Sequence, residues 1–314
     1  MEVTYDFGLK PDKKINLPDF SRGFAESARL WVENKDIRSS SGIAIVVGLI
    51  SAFPERINYE VFNKSPEFHR LCATGHVAVL INDYMDMQGY LKKPEGQKTK
   101  AKIEEVWRKT LEGIGFNHDL PEEKKSVIKS YMAGITLLDD YVRSHPDNSS
   151  EGILEAKELE NAISIVHCAA VVLSSEDINA NCLNLYEDVT QKSLKEKFNW
   201  LINGEPQNEV QRRLCALYNL IMITQIMDDN YDYKVDDKLN IRNIFSSLLK
   251  ENGGNQETST HRLAEIEKKY QDKAEKYGIS KMAALGNKIA FGIYKNMQYQ
   301  FPDKYGGYRE RLVR

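Results

Sequence analysis

Five aspartates fall within the thirteen residues QIMDDNYDYKVDD, which span positions 225–237. Asp228, Asp232 and Asp236 are spaced i, i+4 and i+8, so on a helix their carboxylates lie along one face, with Asp229 one position further round. Like charges at this spacing repel one another, which indicates a compensating cation. Mg²⁺ binds carboxylate oxygens and often shares its coordination shell with a substrate phosphate. The pattern therefore predicts a site for Mg²⁺ and a phosphate compound.

A second acidic set ends the segment HRLCATGHVAVLINDYMDMQGY, at residues 69–90. Asp83 and Asp86 are spaced i, i+3 and therefore share a helix face, and Asn82 precedes them. Acidic residues near a helix C-terminus are unfavourable for the helix dipole, so such placement argues for a specific role. If the two helices pack side by side, the two sets face each other across a cavity. Solvated helix ends remain the alternative interpretation.

The elements that must position these residues are predicted to be helices. Apolar residues recur at helical spacing over 263–277 and 122–138, and 158–173 is apolar on most faces. No alternating strand pattern is evident. Turn-forming residues predict loops at 93–100, 144–152, 203–208, 250–260 and 301–307. These observations predict an all-α fold, a single domain over 1–314 that forms a bundle of about ten helices around a central cavity.

Composition excludes several other classes. The chain has 314 residues and a net charge of −3, which favours no nucleic-acid partner. Its longest apolar stretch, 43–53, is too short for a transmembrane segment. No apolar signal core is found near the N-terminus, so we expect a cytoplasmic protein, although a chain trimmed of a transit peptide would look the same. The cysteines form no CxxC pair and are expected to be reduced, buried thiols: Cys72, Cys168, Cys182 and Cys215.

The two acidic segments resemble the motifs of the class I isoprenoid synthases, the terpene cyclases and trans-prenyl diphosphate synthases. NDYMD (82–86) is similar to the first motif, DDxxD, with asparagine at its first position. QIMDDNYD (225–232) is similar to the second motif of the prenyl diphosphate synthases. From Asp228 it also resembles the cyclase motif (N/D)DxxSxxxE, with Asp232 and Asp236 in place of serine and glutamate. The resemblance implies an all-α bundle that holds roughly two or three Mg²⁺ ions on an allylic diphosphate.

Departures from the family pattern distinguish its subfamilies. Chain-elongating synthases carry a basic GGKRxRP-like segment, where this chain has KDIRSSSGIAIVVG (35–48), and an RRG, where it has LKKPEG (91–96). The segment at 15–36 resembles bacterial-type cyclases. However, the arginine that such cyclases place before the second motif has no counterpart around Cys182, and their RY pair is matched only by the reversed Tyr308 and Arg309. Elongation with isopentenyl diphosphate is therefore disfavoured.

The resemblance implies catalytic roles for Asp83, Asp86, Asp228 and Asp232. The residues expected to bind metal are Asn82, Asp83, Asp86, Asp228, Asp229, Asp232 and Asp236. Basic residues that could bind diphosphate, with surface roles as the alternative, are Lys192, Lys238, Arg242, Arg143 and Arg309. Residues expected to line the hydrocarbon pocket, with ordinary core packing as the alternative, are Val79, Tyr84, Gln225 and Tyr231.

These expectations favour a terpene synthase that ionises geranyl, farnesyl or geranylgeranyl diphosphate with Mg²⁺. A prenyltransferase that transfers the allylic group to a small-molecule acceptor, such as an amine or alcohol, is the nearest alternative. A chain-elongating synthase and a non-catalytic helical scaffold are further alternatives. A homodimer is compatible with each of them.

Overall fold

The computed structural model describes residues 91–98, 100–101, 104–105, 122, 148–173 and 191–300. After a 3₁₀ turn at Pro94–Gly96, these residues form α1 (Ser150–Val172), α2 (Gln191–Asn203), α3 (Glu209–Leu239), α4 (Ile244–Glu251), α5 (Gln256–Lys276) and α6 (Lys281–Gln300). The described ranges contain no β-strand, so the predicted all-α class is confirmed for this part of the chain.

Short polar side chains start four of these helices. The side chains of Ser149, Asn208, Asn243 and Asn255 each accept a hydrogen bond from the backbone N–H three residues later, at the start of α1, α3, α4 and α5. Such caps satisfy backbone donors that have no partner within the helix. Asn240 ends α3 in the left-handed region, at a φ of 57°. A specific local residue therefore fixes each of these helix starts and the end of α3.

The helix α3 lies at the centre of the described bundle and contacts each of the other five helices. Its 31 residues give it a length of about 46 Å at 1.5 Å per residue. Residues 213–220 are buried all round the helix, and beyond them a single buried stripe continues through Met222 and Ile226. The same stripe then reaches Asp229, Asp232 and Asp236, which are also buried. Carboxylates thus occupy core-facing positions in the C-terminal half of α3.

The long helix α6 runs parallel to α3. Asn287 Nδ2 donates to Thr224 Oγ1 at 2.9 Å. About two helical turns further along both helices, Lys295 Nζ donates to Asp232 Oδ2 at 2.6 Å. Both residue numbers increase together, so the two helices have the same direction. Their polar contacts fix the register in which α6 lies beside the acidic half of α3.

Two turns are joined at the opposite end of α3. The hydroxyl of Tyr277 donates to the carbonyl of Gly204, and Arg212 Nη1 donates to the carbonyl of Tyr277 at 2.5 Å. Gly204 has a φ of +76°, and a Cβ there would collide with the Tyr277 hydroxyl. These contacts tie the α2–α3 turn to the α5–α6 turn, so this end of the bundle is held by hydrogen bonds.

Two of the predicted helices and one predicted loop agree with these bounds. The helices expected at 158–173 and 263–277 are confirmed within α1 and α5, and the loop at 203–208 matches the turn before α3. The loop predicted at 250–260 is too long at both ends, because α4 extends to Glu251 and α5 already begins at Gln256, after its cap Asn255. Helical residues also occupy the ends of the loops predicted at 93–100 and 144–152. The segments 123–138 and 301–307 lie outside the described residues.

Candidate functional site

The carboxylates of Asp228 and Asp232 share one lysine. Lys295 Nζ lies 2.5 Å from Asp228 Oδ1 and 2.6 Å from Asp232 Oδ2. The side chains of Lys295 and Asp232 are 4% and 2% exposed, whereas that of Asp228 is 21% exposed. Tyr299 donates its hydroxyl hydrogen to Asp232 Oδ1 at 2.8 Å. One ammonium group therefore neutralises part of the charge of two carboxylates at the edge of the core.

Helical spacing explains how these side chains meet. Asp228 and Asp232 lie one turn apart on α3, and Phe291, Lys295 and Tyr299 follow the same i, i+4 spacing on α6. Lys295 Nζ lies 5.8 Å from the centre of the Phe291 ring, which packs edge-on against Tyr231. An aromatic face therefore covers one side of the ion-paired group, where it strengthens electrostatic interactions by excluding water.

Asp229 faces a different set of partners. Its carboxylate lies 3.0 Å from Lys157 Nζ of α1 and accepts hydrogen bonds from the backbone N–H of Ile244 and from Gln225 Nε2. Burial raises the pKa of Asp229, and the charge of Lys157 and the Ile244 hydrogen bond oppose that rise. Because it holds the first residue of α4 in place, Asp229 has a structural role whether or not it also binds a metal.

Asp236 is bound to the turn that follows α3. Its Oδ2 accepts a hydrogen bond from Asn243 Nδ2 at 2.8 Å, and the same amide group donates to the backbone carbonyl of Asp229. Asn243 also caps α4 through Ser246 N. Asp236 is 3% exposed, so its carboxylate lies inside this turn. The predicted acidic stripe therefore divides into two sets. Asp228 and Asp232 face α6, whereas Asp229 and Asp236 accept hydrogen bonds from the start of α4.

The other predicted residues of this region are more dispersed. Lys238 is exposed near the end of α3, Arg242 is half-buried in the following turn, and Tyr231 is 40% exposed. Lys192 falls within α2, but its side chain lies outside the described residues. Also outside them are the remaining predicted site residues, Val79, Asn82, Asp83, Tyr84, Asp86, Arg143 and Arg309. That the two acidic sets face each other stays a prediction.

The sequence analysis missed the basic and polar partners of the aspartates. Phe291, Lys295 and Tyr299 follow one another at intervals of one turn on α6. That spacing was the signal in the sequence that the three side chains share one helix face. Lys157 similarly stands one turn before the buried Asn161 of α1. A lysine on the core-facing side of a helix is rarely buried without an acidic partner. Such lysines could therefore have been paired with the acidic stripe in advance.

The donor chemistry of the pair fits a hard divalent cation. Carboxylate oxygens are the protein ligands that Mg²⁺ prefers, and those of Asp228 are partly exposed. Within the described part of the chain, no three histidine, cysteine, aspartate or glutamate side chains are grouped so as to hold a metal ion.

Comparisons with protein-family models, curated proteins and solved structures found no match for this chain. The described helices include none with the length and apolar character needed to span a bilayer.

Proposed function

We propose that this protein is a Mg²⁺-dependent enzyme that ionises an allylic prenyl diphosphate and forms a terpene. The observation that carries the proposal is the pair Asp228 and Asp232, two carboxylates that share a single ammonium group beside aromatic residues at the edge of the core. The shared cation position between these two carboxylates, together with the resemblance of both acidic motifs, supports a cation site at this end of α3.

The proposed architecture is one domain over residues 1–314, with about ten helices around a central cavity. Asp83 and Asp86, preceded by Asn82, would lie across that cavity from the acidic end of α3. Val79, which precedes the first acidic motif, and Tyr84, which lies within it, would then line the cavity. Gln225 supports the second motif, because it donates a hydrogen bond to Asp229.

In this proposal Asp228 and Asp232 hold the metal on one side and Asp83 and Asp86 on the other, with Asp229 and Asp236 keeping the end of α3 fixed. Bound Mg²⁺ neutralises the diphosphate and makes it a better leaving group. Donors for the diphosphate oxygens would come from the basic residues Lys192, Lys238, Arg242, Arg143 and Arg309. Tyr231 and Phe291 would present π faces to the hydrocarbon cation and exclude water from it.

The test is incubation with geranyl, farnesyl and geranylgeranyl diphosphates, with and without Mg²⁺, followed by measurement of pyrophosphate release and extraction of products. Mg²⁺-dependent release with a hydrocarbon or terpene alcohol is the expected result. Asp228→Asn should abolish release, whereas Asp237→Asn should not, because Asp237 is 58% exposed and pairs with Lys250. Release only after a nucleophile is added would instead identify a prenyltransferase, and release that requires isopentenyl diphosphate would identify an elongating synthase.

A non-catalytic helical scaffold is the second candidate. The observation that favours it is that all four aspartates of the stripe already have partners in the protein, namely Lys295, Lys157, Asn243, Tyr299 and the N–H of Ile244. This candidate predicts that inorganic diphosphate does not bind in the presence of Mg²⁺. Calorimetric titration of the full chain with Mg²⁺ and diphosphate distinguishes the two functions without knowledge of the substrate.

A further inference from the structure

We infer that Lys295 is an internal counter-ion that competes with the divalent cation for Asp228 and Asp232 and so sets the Mg²⁺ concentration at which the site fills. The inference rests on the proposed function, and it assigns Lys295 the role of a positioning residue. Until a cation binds, the ammonium group keeps the two carboxylates at a separation that one cation can span.

The geometry of the ammonium group supports this role. Its two contacts, 2.5 Å to Asp228 and 2.6 Å to Asp232, place a positive charge between the two carboxylates. A divalent ion bound by the same oxygens would need that space. Lysine is a compact charge on a flexible stem with no preferred plane, so its ammonium group can leave two carboxylates more easily than a guanidinium could.

The charge balance supports it as well. Lys295 places one positive charge on the two carboxylates next to the core, where the effective dielectric is low. A divalent cation bound by the same oxygens would place two positive charges there. Removal of the Lys295 charge increases the repulsion between the two carboxylates, so the loss of Lys295 should make the fold benefit more from added metal.

The surroundings keep Lys295 in this position. Phe291 covers the ammonium group at 5.8 Å, and Tyr299 donates to the Asp232 oxygen that Lys295 does not contact. All three side chains come from one face of α6. Cation binding at α3 should therefore alter the packing of the last two turns of α6.

The experiment is thermal unfolding of the full chain during titration with MgCl₂, at constant ionic strength maintained with KCl. Lys295→Met should unfold at a lower temperature than the wild type without Mg²⁺, and Mg²⁺ should restore much of the loss. Its Mg²⁺ midpoint should be lower than that of the wild type by about tenfold, within the usual range of coupling between two ligands. Lys288→Met is the matched control, because Lys288 lies on the same helix and pairs with Glu267 instead.

Lys295→Arg gives a second test, in which the Mg²⁺ midpoint should shift in the opposite direction. This test can be made even if the methionine variant does not fold. A guanidinium binds carboxylates through two parallel hydrogen bonds, so this variant should fold well and raise the Mg²⁺ midpoint. A purely structural lysine predicts an unchanged midpoint in the arginine variant. Unchanged midpoints in both variants would overturn the inference.

Pyrophosphate release separates this inference from the proposed function. If the wild type turns over a prenyl diphosphate while the Lys295 variants keep its Mg²⁺ midpoint, the inference alone fails. If the midpoints shift as expected but no prenyl diphosphate is turned over, the competition stands and the enzymatic proposal fails.

Discussion

On the core-facing stripe of α3, side chains change from apolar to acidic between Ile226 and Asp229. A buried carboxylate is tolerated only where hydrogen bonds or an opposite charge replace its hydration. Each aspartate of the stripe meets that condition through a different element: Asp232 through α6, Asp229 through α1 and α4, and Asp236 through the turn after α3. The acidic end of α3 is therefore a set of separate contacts, of which only one pair is suited to a shared cation.

Replacement of Asp232 by asparagine should destabilise the protein as well as inactivate the proposed enzyme. The change leaves a buried lysine with one carboxylate fewer, and breaking a buried ion pair costs about 3 kcal/mol. Urea unfolding monitored by circular dichroism measures the loss. Asp237→Asn should change the free energy of unfolding by less than about 0.5 kcal/mol, as is usual at exposed positions. An equal loss of unfolding free energy in both variants would contradict the conclusion that Asp232 is buried in an ion pair and Asp237 is exposed.

Glu209 should make stability depend on pH. Burial raises its pKa, but hydrogen bonds and charge from Arg212 and Arg213 outweigh burial, so the net pKa lies below the ordinary value of 4.5. A lowered carboxyl pKa stabilises the fold above the unfolded-state value, and that stabilisation is lost as the pH falls below 4.5 through the folded-state pKa. Glu209→Gln should therefore weaken the fold at pH 7, and its difference from the wild type should shrink in acid. A constant difference across that range would exclude the linkage.

The thiol of Cys215 should be unreactive in the native protein. Burial raises its pKa to about 12, against the weaker opposing charges of Lys273 and Lys276, and the side chain is fully buried. Because the thiolate is the nucleophile, iodoacetamide at pH 8 should leave Cys215 unmodified until the protein unfolds. Peptide mass spectrometry in the absence and presence of urea tests this. Rapid labelling of Cys215 without urea would show that this part of α3 opens readily.

Among the helical elements, the contact between the α2–α3 and α5–α6 turns is the most specific. Gly204 combines a positive φ with a close approach to Tyr277, so both conformation and space restrict this position. Gly253 also has a positive φ, but a Cβ there would meet no neighbouring atom. The two glycines therefore separate the cost of backbone strain from the cost of a steric clash.

Gly204→Ala should lower the free energy of unfolding by about 3 kcal/mol, since overpacking adds to left-handed strain. Gly253→Ala is the control and should lower it by about 1 kcal/mol, from strain alone. Thermal or urea unfolding of both variants gives the comparison. Equal losses would mean that Tyr277 moves aside at little cost and does not hold the two turns together.

The sequence predicted those elements that are determined by residues close together in the chain. It did not predict contacts between residues far apart in the chain. Helices α1 and α5 were predicted because the apolar pattern of a helix is a local property of the sequence. The loop at 250–260 was predicted too long because its turn-forming residues, such as Gly253 and Gly254, lie directly beside Asn255, which caps α5. In the site, the spacing of Asp228 and Asp232 placed them correctly on one helix face. Lys295 was missed because which helix packs beside α3 is a tertiary property.

For the whole molecule, α3 is the element on which the described bundle depends. Residues 213–220 are buried on all sides, and every other described helix contacts α3. By contrast, α6 exposes large apolar side chains at Leu285, Ile289 and Ile293, each about half accessible. Local stability should therefore be highest in the first half of α3.

Hydrogen exchange should show this distribution directly. Amides of residues 214–223 should exchange only through global unfolding. Those of residues 252–255 should exchange much faster through local opening, because their hydrogen bonds lie in a largely exposed turn. Exchange of α3 amides should be slowed further in Mg²⁺ with diphosphate if the proposed site fills. Mass spectrometry of peptides at several exchange times provides the measurement. Faster exchange in 214–223 than in α5 would contradict the central position of α3.

The parallel arrangement of α3 and α6 has a consequence for the order in which the protein folds. Asp232 and Lys295 are 63 residues apart, and α4 and α5 lie between them in the chain. Contacts at such separation close a long loop and therefore form late, whereas the caps and the α3–α4 turn need only local closure. In a nascent chain, the local contacts of α3, α4 and α5 should therefore form before the ammonium group meets its two carboxylates. Release of α6 from the ribosome, rather than synthesis of the acidic motif, then decides when the candidate site first exists.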